Sequence, residues 1–156
     1  RHPLKGAFFF SSPPNFPYNR RYPPFWKLPL IIGIGIDLCK ISRMSRAIEK
    51  AEFVRKVFAT EETTYAETSR NPASHYASAF AAKEAFAKAG RWGLSKVGLH
   101  SVWVSRERGF PELKLSPGAK RLLAPYGECR AFLSLSHEGD LAIAVVVLEA
   151  SNDTLL

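Results

Sequence analysis

The sequence predicts an α+β domain with a small, mostly antiparallel sheet packed against a long helix. Three observations carry this expectation: an apolar run at Leu30–Ile36, an alanine-rich segment at Ala73–Ala89, and two strand-like stretches, Arg130–Ser136 and Leu141–Leu148, joined by His137-Glu138-Gly139-Asp140. A nearly continuous apolar run marks a buried strand. Alanine is the strongest helix former. Two strand-like runs around a glycine-bearing turn form a hairpin.

In chain order, the first strand runs from Leu30, is interrupted only by Gly33 and Gly35, and ends on Asp37. A helix is expected over Ser42–Phe58, with Met44, Ile48 and Val54 or Val57 on one face. Thr60-Glu61-Glu62-Thr63 starts a short helix, its acids in the first turn where the helix dipole favours them. Asn71-Pro72 punctuates, Ala73–Ala89 forms the long helix, and Gly90 and Gly93 stop it. Strands near Leu99–Val104 and Glu112–Leu115 flank a turn at Gly109–Pro111; a helix at Pro117–Leu123 then precedes the hairpin. Helices mixed with adjoining strands in this way give an α+β pattern. The chain has no internal repeat.

Composition narrows the class. A chain of 156 residues with 46% hydrophobic content supports one domain with a real core, expected at residues 30–150 with a short tail at 151–156. No apolar run approaches the roughly 18 residues of a membrane span, so a soluble, cytoplasmic protein with no membrane partner is expected. Cys39 and Cys129 read as isolated thiols of a reducing compartment; a disulfide between them has no support, and zinc is not expected. The net charge is +8, of which residues 1–30 supply +5 through Arg1, Lys5, Arg20, Arg21 and Lys27. Residues 1–29 are Pro- and aromatic-rich without periodicity and are set apart as a leader. An organellar transit segment, a disordered leader and a mis-assigned start all remain open for it. Beyond residue 30 there is no basic stripe with interleaved aromatics, so nucleic acid is not the expected partner.

Three features carry chemistry. Gly33-x-Gly35-x-Asp37 follows a strand, but a dinucleotide fingerprint needs a third glycine where Leu38 stands. The glycines instead permit close backbone approach beside a carboxylate, whose alternative role is to cap the next helix. In the long helix, Tyr76, Phe80, Lys83 and Ala87 share one narrow stripe, placing Lys83 close to the apolar face with Glu84 and Lys88 on its flank. The plain alternative is a snorkelling lysine beside a Glu84–Lys88 pair worth about 0.3–0.5 kcal/mol. Third, Ser134-Leu135-Ser136-His137-Glu138 brings phosphate donors to a strand end, without the elbow of a hydrolase.

In order and spacing these features resemble one family. Ile32-Gly33-Ile34-Gly35-Ile36-Asp37 is similar to the opening strand of holo-acyl-carrier-protein synthases, small single-domain 4′-phosphopantetheinyl transferases, and Arg43 matches that family's carrier-binding arginine. Lys56-Val57-Phe58-Ala59-Thr60-Glu61-Glu62 resembles its R-[IV]-[LF]-T-x-x-E segment. Phe80-Ala81-Ala82-Lys83-Glu84-Ala85-Phe86-x-Lys88-Ala89 is close to its F-A-A-K-E-A-x-x-K-A signature, the most specific match. Gly109-Phe110-Pro111 and Leu135-Ser136-His137 stand where the family has its G-x-P turn and its late S-H motif, so the resemblance runs from about Ile31 to Glu149.

The resemblance implies the phosphopantetheinyl transferase fold and a homotrimer with coenzyme A bound between neighbouring subunits. It also implies Mg²⁺-dependent transfer of phosphopantetheine from coenzyme A to a serine of acyl carrier protein, in fatty acid biosynthesis, with release of 3′,5′-ADP. Mg²⁺ takes one or two carboxylates plus phosphate and water, a role the resemblance gives to Asp37 and Glu84. Lys88 is expected to stabilise pyrophosphate charge, with Lys83, Ser136 and His137 as further donors and Gly109 and Pro111 as coenzyme A contacts. Arg43 and Arg46, with Met44 between them, form a basic and apolar face for an acidic carrier protein.

The sequence departs from the family in three places. Ala79 replaces the arginine before F-A-A-K-E; the glycine-rich loop reads Gly90-Arg91-Trp92-Gly93, with Arg91 a candidate compensating cation; and Glu138 follows the S-H motif, where an acid is unfavourable unless it turns away. Two rival readings stand beside the transferase. One is a basic nucleic-acid-binding module using Arg20, Arg21, Arg43, Arg46, Arg55 and Lys56; the other is a coenzyme A-binding protein without turnover.

Overall fold

The computed structural model of the chain describes residues 28–151, so the expected leader, apart from Leu28 and Pro29, and the expected tail, apart from Ser151, lie outside the described residues. The elements follow as β1 (Leu30–Lys40), α1 (Ile41–Ile48), α2 (Ala51–Val57), α3 (Thr60–Glu67), α4 (Pro72–Ala89) and α5 (Leu94–Val97). They continue as β2 (Val102–Ser105), β3 (Glu112–Leu115), α6 (Pro117–Leu123), a 3₁₀ turn at Ala124–Tyr126, β4 (Cys129–Glu138) and β5 (Leu141–Ala150). This is the expected α+β class. Among the described residues every strand pair is antiparallel, in two sheets ordered β1-β5-β4 and β2-β3.

α4 is the central element. Asn71 caps it through its side chain to the Ser74 N–H, Pro72 occupies its first turn, and Gly90 closes it. Thirteen of its eighteen residues are buried, so the helix is enclosed on nearly every side, by the three-stranded sheet and by α1, α3 and β2. That explains its alanines: a helix wrapped by neighbours has room for little else. The approach to β1 is closest of all. A Cβ at Gly33 would overlap the Ala89 carbonyl, and one at Gly35 the Ala85 carbonyl. The strand glycines and the helix alanines are therefore two halves of one backbone-to-backbone contact.

The pleat sorts the sheet's side chains. Gly33, Gly35, Asp37 and Cys39 stand opposite Leu148, Val146, Ala144 and Ala142, all four buried beneath α4. Ile34, Ile36 and Leu38 alternate to the other face, where they are 63%, 54% and 55% exposed, and Phe132 and Leu141 join them. The hairpin turn is Gly139-Asp140, with φ +54° at Gly139, the glycine-first geometry that suits a two-residue turn.

The boundaries differ from expectation in several places, among them the hairpin, where pairing with β5 keeps His137 and Glu138 in β4 and leaves only Gly139-Asp140 to turn. β1 continues past Asp37 to Lys40 because β5 pairs with it along its whole length, so Asp37 is a mid-strand residue and caps no helix. The helix expected at Ser42–Phe58 is two helices, broken where Lys50 adopts an extended conformation (φ −91°, ψ 102°). The break turns Phe58 back into the core against Tyr76, with ring centroids 4.6 Å apart. β2 starts only at Val102, because Leu94–Val97 closes a helical turn that Gly98 ends at φ +82°. The residue that reverses the chain after α4 is Arg91 (φ +57°), with Trp92 N–H returning to the Ala87 carbonyl at 2.8 Å. The two thiols are free and sit beside opposite ends of β5, roughly 27 Å apart along the strand, too far for a disulfide.

Candidate active site

β1 and α4 bring Asp37 and Lys88 together, with Glu84 one helical turn before Lys88 on the same side of α4. The Gly33/Gly35 contact lays the helix on the strand, and Asp37 emerges on the same face just beyond the glycines. Its side chain is 16% exposed and accepts a hydrogen bond from Lys88 Nζ at 2.6 Å. The pairing expected between Glu84 and Lys88 gives way to this one. Glu84, one turn before Lys88 on the same helix, is half-buried and makes no ion pair among the described residues.

Two carboxylates stand on these elements, Asp37 on β1 and Glu84 on α4, and no group of three or more His, Cys, Asp or Glu side chains suited to a metal occurs among the described residues. That fits the habit of Mg²⁺, which keeps waters and substrate phosphates in its shell. Asp37 already holds one cation, the Lys88 ammonium, and Glu84 has no competing partner among the described residues.

Lys83 does not belong to this group, which corrects the expectation that it contacts coenzyme A. It is fully buried, and its ammonium donates to Glu62 Oε2 at 2.8 Å, to the Leu99 carbonyl at 3.0 Å and to the Val102 carbonyl. All three N–H donors are committed, leaving none for a phosphate. Burial pushes the Lys83 ammonium below its ordinary pKa, and Glu62 opposes the shift. The sequence marks Glu62 only as part of a motif and as an acid in a first turn. Its carboxylate also accepts the Ala59 and Val104 N–H groups, at 2.9 and 3.0 Å, and so ties α3, α4 and β2 together.

Met44 is a second correction. It is buried between α1 and α4, while Arg43 and Arg46 are exposed on the opposite side, so the face expected to meet a carrier is basic without the expected apolar centre.

Ser136 and His137 part company at the pleat. His137 lies on the α4 side, in the row of Ala142 and Cys39; Ser136 lies on the open face, in the row of Ile143 and Leu38. Within one chain Ser136 therefore faces away from Asp37, contrary to its expected place with the phosphate donors. Glu138 shares the parity of Ser136 and turns away from His137. Gly109 (φ +82°) and Pro111 lie in the β2–β3 loop. Pro111 lines a groove of about 570 Å³ with Arg108, Phe110, Lys114, Arg130 and Phe132. β4 is two strands from β1, roughly 10 Å, so one chain does not close these residues around Asp37.

A further cluster, around Arg106, lies outside every sequence motif. The Arg106 guanidinium lies 4.4 Å over the Tyr65 ring, and Tyr65 meets His75 edge-on at 5.0 Å. His75 is held below the ordinary histidine pKa, mainly by burial and then by the charges of Arg106 and His137. Ala79 lies one turn after His75 and is buried. Only the fold joins residues from α3, α4, the β2–β3 loop and β4, so no local motif announces the cluster.

Residues 33–146 match the 4′-phosphopantetheinyl transferase superfamily, and the chain belongs to that family of enzymes. Within it, the chain is 39% identical to the holo-[acyl-carrier-protein] synthase of Syntrophotalea carbinolica, over 80% of this chain and 100% of that one. The Thermus thermophilus synthase is 40% identical over 78% of this chain and 95% of its own length. Among solved structures, the Neisseria meningitidis synthase superposes with a TM-score of 0.69 at 32% identity, covering 76% of this chain and 98% of that one. The Bacillus anthracis synthase in complex with coenzyme A (3′,5′-ADP) gives 0.65 at 31% identity, covering 78% and 98%.

Proposed function

We propose that this chain transfers 4′-phosphopantetheine from coenzyme A to a serine of acyl carrier protein, with Mg²⁺, releasing 3′,5′-ADP. The observation that carries the reading is the Asp37–Lys88 contact on the face where Glu84 projects, two carboxylates and a cation gathered at one strand–helix junction. The fatty acid synthesis carrier of the cytoplasm is the substrate this reading implies.

Asp37 and Glu84 would hold Mg²⁺, which when bound supplies charge neutralisation for the pyrophosphate. The serine oxygen forms a bond to the phosphorus that bears pantetheine, the bond to the bridging pyrophosphate oxygen breaks, and 3′,5′-ADP leaves. Lys88, half-exposed and long, donates to phosphate oxygens as charge builds on them. The carboxylates at hand for the serine proton are Glu84 and, through a water, Asp37. The Arg106 guanidinium supplies positive charge for the coenzyme's other phosphates and stands in for the arginine replaced by Ala79, with the His75 and His137 rings as hydrogen-bond donors near it. Arg43 and Arg46 steer the acidic carrier.

The same reading makes the enzyme a homotrimer with shared sites. Ile34, Ile36, Leu38 and Phe132 give the sheet an exposed apolar face of the kind that proteins keep covered. Asp37 and the residues around the β3–β4 groove are separated within one chain, and a neighbouring copy can supply the second set to the first.

The test is a mass spectrum of apo-acyl carrier protein incubated with the enzyme, Mg²⁺ and coenzyme A. A gain of one phosphopantetheinyl group is expected. Coenzyme A binding without that gain would replace this reading with a binding protein lacking turnover.

A further inference from the structure

Helix α1, which carries Arg43 and Arg46, has no cap of its own. Its N-cap residue, Lys40, contributes no side-chain hydrogen bond, and its first turn holds no acid. A helix start leaves N–H groups without partners and favours a nearby negative charge. Both needs are met from the far end of the chain. Asp140, in the β4–β5 turn, accepts the Ser42 N–H on Oδ1 and the Ser42 hydroxyl on Oδ2, each at 2.7 Å. Its carbonyl accepts the Ile41 N–H at 2.9 Å. The two bonded residues are 98 positions apart.

We infer that Asp140 is a positioning residue for carrier recognition: it fixes the first turn of α1 to the hairpin and so aims Arg43 at the partner protein. The inference rests on the proposed role of Arg43 and Arg46. Met44, buried against α4, anchors the middle of the helix, so loss of the cap frees the first turn and leaves the rest seated. Three hydrogen bonds from one exposed residue to two consecutive residues of α1 fix the direction of that turn.

Charge makes the inference testable by sign. Asp140 is an acid beside Lys40 and Arg46, whose charges add to the Ser42 hydrogen bonds in holding its carboxyl below the usual carboxylate range. If its charge were all that mattered, its removal would make the patch more basic and improve binding of an acidic carrier. A positioning role predicts the reverse for Asp140→Ala.

The experiment measures KM for apo-acyl carrier protein and for coenzyme A separately. Asp140→Ala should raise the carrier KM about fivefold, the worth of a typical cap, with the coenzyme A KM within about twofold of the parent. Asp140→Asn keeps an acceptor for the Ser42 N–H and should return the carrier KM to the parent value or below. Should Asp140→Ala fold poorly, Ser42→Ala, which removes only the hydroxyl bond, should raise the carrier KM about threefold. A carrier KM that falls or is unchanged in Asp140→Ala overturns the inference, as does an equal rise for both substrates. A parent enzyme that never modifies the carrier overturns the transferase reading itself.

Discussion

Replacing Lys83 with methionine keeps the volume of the side chain and deletes its charge, a direct test of a lysine that the sequence places among the substrate contacts. The ammonium is fully buried and makes three hydrogen bonds, one of them to a carboxylate that is itself 1% exposed. Removing one partner of such a pair strands the other, at a cost of about 3–5 kcal/mol. For a domain of this size that is a fall in melting temperature of roughly 10–20 °C. Thermal unfolding followed by circular dichroism measures it, and the folded enzyme assayed at low temperature should keep its coenzyme A KM. Adding Glu62→Gln supplies a second sign: it should destabilise the parent but stabilise Lys83→Met, because there it removes a stranded charge. A Lys83→Met enzyme with the parent's melting temperature and a raised coenzyme A KM would refute the structural role and return Lys83 to the substrate.

Asp37→Ala and Glu84→Ala should each lower transfer by at least about a hundredfold at saturating Mg²⁺ with little change in melting temperature, since neither removes core volume. Near-normal turnover of either variant would end the metal assignment. Arg43→Glu should raise the KM for carrier protein and leave that for coenzyme A alone, which steady-state kinetics with each substrate varied will reveal. Gly35→Ala drives a methyl group into the Ala85 carbonyl and should cost about 1–3 kcal/mol or more, read from urea unfolding. Ile36→Lys places a charge on the exposed apolar face and should dissociate the proposed homotrimer in sedimentation. Full activity from a monomer would refute the shared site while leaving the chemistry standing.

The elements that could be read from sequence are those whose residues report their own environment. Alanine in α4, Ser116 and Pro117 at the start of α6 and the glycine in the hairpin turn each state a local preference, and the structure agrees with them. The end of β1 could not be read this way, because Asp37–Lys40 are held as strand by β5, a partner a hundred residues away. Nor could the break at Lys50, where no glycine or proline stands. Of the proposed site, Asp37, Glu84 and Lys88 stand in motifs that the sequence shows, and the fold joins Asp37 to Lys88. Lys83 and Met44 were misplaced for one reason: spacing tells which side of a helix a residue lies on, but not whether that side meets solvent or another element. α4 is covered on nearly every side, so the lysine beside its apolar stripe went inward to Glu62.

The backbone contact between β1 and α4 has a further consequence, for tolerance rather than for packing. Most interfaces in a domain are made of side chains that can change rotamer, so one altered residue is absorbed by its neighbours. Where glycine meets a helix carbonyl there is no rotamer to change, and the spacing is set by atomic radii alone. The two carboxylates that ride on these elements inherit that spacing. Heat or substitution elsewhere can loosen the β2–β3 loop long before it moves β1 relative to α4. The same rigidity leaves that junction no room to adapt: a single added methyl group there has nowhere to go.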